Sequence, residues 1–242
     1  MVEVGLRNLH HSPPSSTILH DLHLTSPEGV LMRAALTVAI LAFLATPAAA
    51  QWQGEPVWNS PKGGTGVTIS GDYARPNSGY GSGNAWGGRA SLGIGTLTLT
   101  AGVARWKPDL ATEGFTSIGG NAAFRLIGGS LLPFSVNLQV GAARTDSANS
   151  TPAQTAVTGA VGFSVPLPTP GISIEPYFSP GIRYHSSGVT NTTQFGYVFG
   201  ANLSFGLVGL HLAYDNERLK GGGNRGVFGV GAHLDLHLPL GM

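Results

Sequence analysis

Ten segments of the sequence, each about ten residues long, alternate an apolar residue with a small or polar one. A period of two residues is typical of a β-strand with two different faces, and no stretch of this part of the chain keeps the 3.6-residue period of a helix. The alternation therefore predicts an all-β fold. Its strands are expected at 65–75, 84–94, 96–106, 115–127, 133–145, 154–166, 172–184, 194–205, 208–217 and 226–238.

The connections between these segments alternate in length. Tight connections fall at Thr96, 128–132, 167–171 and 206–207, while the others are longer and polar: PNSGYGSG, KPDLATEG, TDSANSTP, SSGVTNTT and KGGGNRG. Short turns at one end and long loops at the other are typical of outer-membrane barrels. We therefore expect a closed antiparallel up-and-down transmembrane β-barrel of about ten strands, with eight strands as the alternative count. An even number of strands places both chain ends on the periplasmic side.

The composition of the second strand face favours a membrane barrel. In the segment 172–184, isoleucine, proline, phenylalanine and tyrosine occupy one face, and the other carries Ser173, Glu175, Tyr177, Ser179, Gly181 and Arg183. A face turned to bulk water would carry many lysines and glutamates, yet the chain has 37 glycines and only 10% charged residues. Small residues suit the crowded lumen of a narrow barrel. A secreted soluble β-domain that binds a ligand is the alternative, and dependence on detergent would distinguish the two.

Residues 32–50 have the three parts of a secretory signal peptide. Met32-Arg33 is followed by an apolar run and by the small residues Ala48–Ala50. The run is shorter than the roughly 20 residues that span a bilayer, which argues against a membrane anchor. We expect cleavage after Ala50 and export to the outer membrane.

This signal divides the chain into four parts. The polar residues that precede it are expected to be a mis-assigned extension, with translation starting at Met32. The predicted parts are the extension 1–31, the signal peptide 32–50, a periplasmic lead 51–64 and the barrel 65–242.

Residues 32–242 resemble the small bacterial outer-membrane β-barrel family, which includes the outer-membrane protein A-type and W-type barrels. The resemblance rests on the signal, the alternation and the loop pattern. It implies contacts with outer-membrane lipid, with lipopolysaccharide and with the secretion and barrel-assembly machinery. Members of this family typically end on an aromatic residue, whereas this chain ends LHLPLGM. Pro176 and Pro180 also depart from the pattern, because each removes a hydrogen-bond donor from a paired strand, so we expect a bulge or a weak seam there.

Charged residues on the small-residue faces are expected to form a network inside the barrel, because an unpaired charge in a confined lumen is costly. Strand pairing would set Asp72 beside Arg89 and His211 beside His233. The expected outer layer is Asp72, Arg89, Arg183 and Asp215, and the expected periplasmic layer is Arg125, Glu175 and Asp235 with His211, His233 and His237. The network would either fill and stiffen the barrel or form a charged constriction for small solutes.

No constellation in the sequence points to catalysis. The run His233-x-Asp235-x-His237 has metal-binding residue types, but its ends are roughly 13 Å apart along an extended strand, so we expect no metal site. We found no nucleophile motif, and a net charge of +1 gives no case for nucleic acid. The prediction is a non-enzymatic barrel without a cofactor, structural or a narrow pore with surface loops, whose solute or surface ligand is unknown. A barrel enzyme acting on lipid or peptide is the alternative.

Overall fold

The computed structural model describes residues 52–57, 64–128 and 132–236 of the chain. The predicted signal peptide, the extension before it, the chain end and His237 lie outside these residues. The strands are β1 (Gly66–Pro76), β2 (Asn84–Ile94), β3 (Leu97–Lys107), β4 (Phe115–Ile127), β5 (Ser135–Thr145), β6 (Gln154–Ser164), β7 (Leu167–Thr169), β8 (Ile172–Ser186), β9 (Asn191–Phe205), β10 (Val208–Arg218) and β11 (Asn224–Leu236).

The strands close into one antiparallel barrel. Strands consecutive in the chain pair with each other except β6 and β7, β1 pairs with β11, and β6 pairs with β8. The three-residue β7 follows β6 and, like β6, pairs with β8. The wall of the barrel therefore has ten strand positions. The predicted closed up-and-down β-barrel is confirmed, with ten strands rather than eight. Among the residues that the structure describes, no helix is long and apolar enough to cross a membrane.

Two connections at the turn end are tight, as the sequence predicts, but the β4–β5 connection, residues 128–134, is longer than the loops 187–190 and 219–223 at the other end. The turn end of the barrel carries tight turns such as Gly95-Thr96 and Gly206-Leu207, while the loop end carries residues 77–83, 108–114, 146–153, 187–190 and 219–223. The largest boundary difference concerns β8 and β9. The alternation continues through His185 and Ser186, which pair with Thr192 and Asn191, so this hairpin loop is shorter than predicted.

The prolines of β8 interrupt one seam of the barrel. The β6–β8 ladder lacks pairs opposite Pro176 and Pro180, yet Ala160↔Gly181 and Phe163↔Phe178 on either side keep one register. The amide of Val165 donates to the Pro176 carbonyl at 3.1 Å, so Pro176 turns its donor-free nitrogen toward this same seam. The seam is weakened without a bulge, and the β8–β9 ladder stays complete.

Apolar side chains cover the outside of the barrel, and polar side chains face the lumen. Leu234 and Leu236 are 39% and 41% exposed on the outer face, while His233 and Asp235 line the interior. Exposed aromatic rings lie toward both ends of the outer face, with Phe178 and Phe199 near mid-strand: Tyr73, Trp86, Tyr184 and Phe195 toward the loop end, and Phe124, Phe134, Phe163 and Phe205 toward the turn end. A soluble domain would bury such a face, so this arrangement favours hydrocarbon outside the barrel.

Candidate functional site in the barrel lumen

Residues 52–57 lie inside the barrel, and we call them the lumen segment. Its Trp52, Glu55 and Val57 are 3%, 1% and 6% exposed. The sequence predicted a periplasmic lead over 51–64, and the structure has residues 52–57 of that stretch in contact with the inside of the barrel wall. Small lumen residues leave space at mid-height, because Trp52 lies in one buried cluster with Ala104 and Ala143.

Three hydrogen bonds attach the lumen segment to the barrel wall. The Trp52 indole donates to the Gly102 carbonyl of β3 at 3.0 Å. The Gln53 amide donates to Ser117 Oγ of β4 at 3.1 Å. The Val57 amide donates to Asp215 Oδ2 of β10 at 3.0 Å. Because β4 and β10 lie on different sides of the barrel, the segment crosses the lumen rather than lining one wall.

Aromatic rings narrow the lumen above the segment, at the loop end. The Trp106 ring stacks on Phe115 at a centroid distance of 5.4 Å and meets the edge of Tyr80 at 5.3 Å. Gly54 lies against Trp106 with a φ of +84°, which glycine adopts without steric cost. A Cβ at this position would be 2.6 Å from the tryptophan. Burial raises the pKa of Tyr80 to about 12, although a hydrogen bond with the Gly54 backbone lowers it, so this hydroxyl stays protonated at neutral pH.

A central cluster joins groups that the sequence analysis placed in two layers. Asp72 binds Arg89 at 2.7 Å and His211 at 2.6 Å. Arg89 lies 3.1 Å from His211, whose ring stacks on His233 with the two Nδ1 atoms 3.1 Å apart. His233 lies 3.6 Å from Asp235, which accepts a hydrogen bond from a threonine of β1. The cluster therefore runs continuously from mid-lumen toward the turn end.

Glycines on neighbouring strands make room for these long side chains. Gly231 lies between His211 and Asp72 in the register, and a Cβ there would overlap the histidine Nε2 and lie 2.6 Å from Asp72 Oδ1. Gly209 leaves comparable space for the His233 ring. Small residues in the lumen thus permit side chains to bridge across an intervening strand.

A second cluster lies near the loop end. Arg183 forms an ion pair with Asp215, which also holds the Val57 amide of the lumen segment. Two residues further along each strand, His185 binds Glu217 at 2.8 Å. Asp215 therefore links Arg183 on the barrel wall to the backbone of the lumen segment.

Two further residues of the predicted network are Glu175 and Arg125. Glu175 accepts hydrogen bonds from Ser164 at 2.8 Å and Asn202 at 3.3 Å. Arg125 lies near the turn end, at the irregularity between Arg125 and Ile127. Among the residues that the structure describes, the network predicted as two layers therefore contains a cluster around Asp72 and a cluster around Asp215, with Glu175 and Arg125 at other positions of the strands.

In a closed barrel the backbone hydrogen-bond groups pair between strands, and the ion pairs inside neutralise the buried charges. Such a barrel with an apolar outside can lie in a bilayer core, which contains no water. The fold is that of a small outer-membrane β-barrel. Solved structures with a similar fold include the β domain of the Bordetella autotransporter BrkA, at a TM-score of 0.46 and 12% identity over 72% of this chain and 100% of that one.

Two further solved structures are similar to this outer-membrane barrel at lower scores. The N-terminal β-barrel domain of Pseudomonas aeruginosa OprF has a TM-score of 0.33 and 13% identity, over 72% of this chain and 100% of its own. Neisserial surface protein A has a TM-score of 0.32 and 16% identity, over 70% and 96%. No family model and no curated protein matches the chain. These likenesses concern the fold alone.

A polar cavity remains in the outer-membrane barrel below the lumen segment. It has a volume of about 330 Å³, lies at the turn end, and is lined by hydroxyl and amide side chains with Arg89, Glu175, His211, His233 and Asp235. Among the described residues no group of three or more histidine, aspartate or glutamate side chains could hold a metal ion. The cavity can accept water or a small polar solute.

Four residues that contact the lumen clusters or lie in the lumen segment were not among the residues predicted from the sequence: His185, Glu217, Trp52 and Val57. His185 lay just beyond the predicted end of its strand. Glu217 was placed in a predicted strand, but no partner was predicted for its side chain. Extending the alternation by one step places both on the lumen face beside Arg183 and Asp215. The residues around Trp52 and Val57 do not alternate as a strand does, so nothing in the sequence located these two side chains inside the barrel.

Proposed function

We propose that the chain is exported to the outer membrane and acts there as a closed, non-enzymatic structural barrel that carries its long loops on the cell surface. The lumen segment is the observation that supports closure. Three hydrogen bonds attach it to β3, β4 and β10, and aromatic rings pack above it. An eight-stranded barrel is just wide enough for side chains to fill it, so in a ten-stranded barrel one buried chain segment, with the aromatic rings above it, is sufficient to block the lumen.

Conductance of the refolded full chain in planar bilayers tests this proposal. We expect the unaltered protein to be nearly silent. A variant in which residues 52–57 are replaced by glycine and serine at constant length should show discrete ion-conducting steps, because Trp52 and Val57 no longer fill the lumen. A matched variant with glycine and serine at 219–220, in a loop outside the lumen, should stay silent. Steady conductance from the unaltered protein would refute closure.

A narrow pore is the second candidate function, and the cavity of about 330 Å³ at the turn end favours it. In that case the lumen segment would act as a constriction, and the central cluster would select solutes by charge. The same recordings separate the two functions, because a pore conducts without any replacement in the lumen segment. Replacing Arg89 by glutamine would then change its ion selectivity.

Export is tested on the protein recovered from the outer-membrane fraction. Mass spectrometry should show an N-terminus at or within a few residues of Gln51, since Ala48–Ala50 supplies the cleavage site. Folded barrel should also migrate differently on gels before and after boiling. An intact N-terminus at Met1 in that fraction would contradict both cleavage and the start at Met32.

A further inference from the structure

Charged residues of the strands are sorted between the two faces of the barrel. In the strands that the structure describes, all five aspartates and glutamates face the lumen: Asp72, Glu175, Asp215, Glu217 and Asp235. Every charged residue on the outer face is a cation: Arg75, Arg105, Lys107, Arg144 and Arg218. We call these five cations the basic arc. Pairing inside the lumen explains the inward charges, but it does not explain the outward ones.

The basic arc lies at the loop end of the barrel and is absent from β6, β8 and β9. Each of its members is within three residues of a strand end that leads into a long loop. Its cations lie on β10, β1, β3 and β5, which are every second strand of the seven consecutive strands from β10 to β5. The outer face of the turn end carries no charged residue in the strands that the structure describes.

Aromatic rings fix the level of the basic arc relative to the bilayer. Tyr73 and Trp86 are exposed on the outer face with their ring centroids 5.8 Å apart, and the Tyr73 hydroxyl donates to Asn84 at 2.6 Å. Such amphipathic rings sit at the headgroup boundary. Arg105 pairs with Trp86 in the register, and Arg75 follows Tyr73 by two residues, so the cations lie at or just beyond that boundary.

The cations of the arc take part in none of the ion pairs among the described residues. The acidic residues at this end, Asp109, Glu113 and Asp146, follow the strand ends and lie in the loops. Exposed arginine and lysine at a headgroup boundary attract anionic lipid within a Debye length. A guanidinium group also binds phosphate in a bidentate manner.

We propose that the basic arc binds the phosphate groups of lipopolysaccharide in the leaflet that surrounds the loop end. This inference rests on the proposed outer-membrane location and adds the residues that recognise the lipid. Binding through the cations on β10, β1, β3 and β5 would leave β6, β8 and β9, where the proline seam lies, without phosphate contacts. It would also hold the loop end in the outer leaflet.

The test compares two lipids on the folded full chain in phosphatidylcholine nanodiscs. Fluorescent diphosphorylated lipid A and its dephosphorylated form are titrated separately, and energy transfer from the barrel tryptophans reports their contact with the protein. We expect a clear preference for the phosphorylated lipid. The double variant Arg105→Gln, Arg144→Gln should lose about fivefold in apparent affinity for each cation removed.

The matched control is Lys220→Gln, which removes one exposed cation from a loop rather than from the outer wall. It should keep the preference for phosphate. Equal binding of the two lipids by the unaltered protein refutes the inference, as does an equal loss in Lys220→Gln. Gel migration before and after boiling verifies that each variant is folded. A barrel that folds and stays non-conducting yet shows no phosphate preference refutes the basic arc and leaves the proposed function standing.

Discussion

Replacing Gly231 by alanine should break the centre of the lumen network. The new Cβ would overlap His211 Nε2 and lie 2.6 Å both from Asp72 Oδ1 and from the Gly71 carbonyl oxygen. The 2.6 Å bond between Asp72 and His211 cannot persist beside it. A hydrogen bond to a charged group contributes about 1.5–3 kcal/mol, and overpacking costs about 1–3 kcal/mol. Since Asp72 keeps Arg89 and the histidine ring can rotate, we expect a loss of about 2–4 kcal/mol in unfolding free energy.

The matched control is Gly71→Ala on the neighbouring strand. Gly71 faces outward, and a Cβ there would meet nothing within 4 Å. Alanine at that position removes the conformational cost of a glycine in a strand, so the variant should be neutral or more stable by up to about 1 kcal/mol. Urea unfolding in lipid vesicles, followed by tryptophan fluorescence, measures both variants under one condition.

A double variant identifies the clash as the cause. In a His211→Ala background one of the overlapping groups is gone, so Gly231→Ala should cost clearly less than it does alone. If Gly231→Ala is neutral, or if both glycine variants lose the same stability, the packing described for the central cluster is wrong.

Three further predictions concern the wall, the lumen segment and the orientation. Val230→Arg, in the middle of β11 and 42% exposed outward, should cost about 2–4 kcal/mol of stability in vesicles, whereas Val230→Leu should be tolerated; equal effects would place this face away from lipid. Asp215→Ala should cost about 3–5 kcal/mol because it leaves Arg183 buried without its partner, and the double variant with Arg183→Ala should cost less, which unfolding curves will show. An epitope inserted at Gly222 should bind antibody on intact cells and one at Thr169 should not, and the reverse labelling would invert the barrel.

The sequence alone predicted the barrel wall because each strand face is a local property. An apolar residue at every second position must face the same side, and a turn or a loop must follow each run. Strand limits, loop ends and the outward position of Leu234 could therefore be read directly from the alternation. The same logic placed Asp72 beside Arg89 and His211 beside His233, since hairpin partners are close in the chain.

Only the tertiary structure decided what occupies the lumen. Asp72 reaches His211 across an intervening strand, a contact between residues 139 positions apart that depends on closure and on the absence of a side chain at Gly231. Trp52 and Val57 lie in a short stretch without periodicity, so their positions follow from the shape of the space left inside the wall. Periodicity determines which way a side chain points, but whether that direction meets water, lipid or another segment depends on how the whole barrel closes.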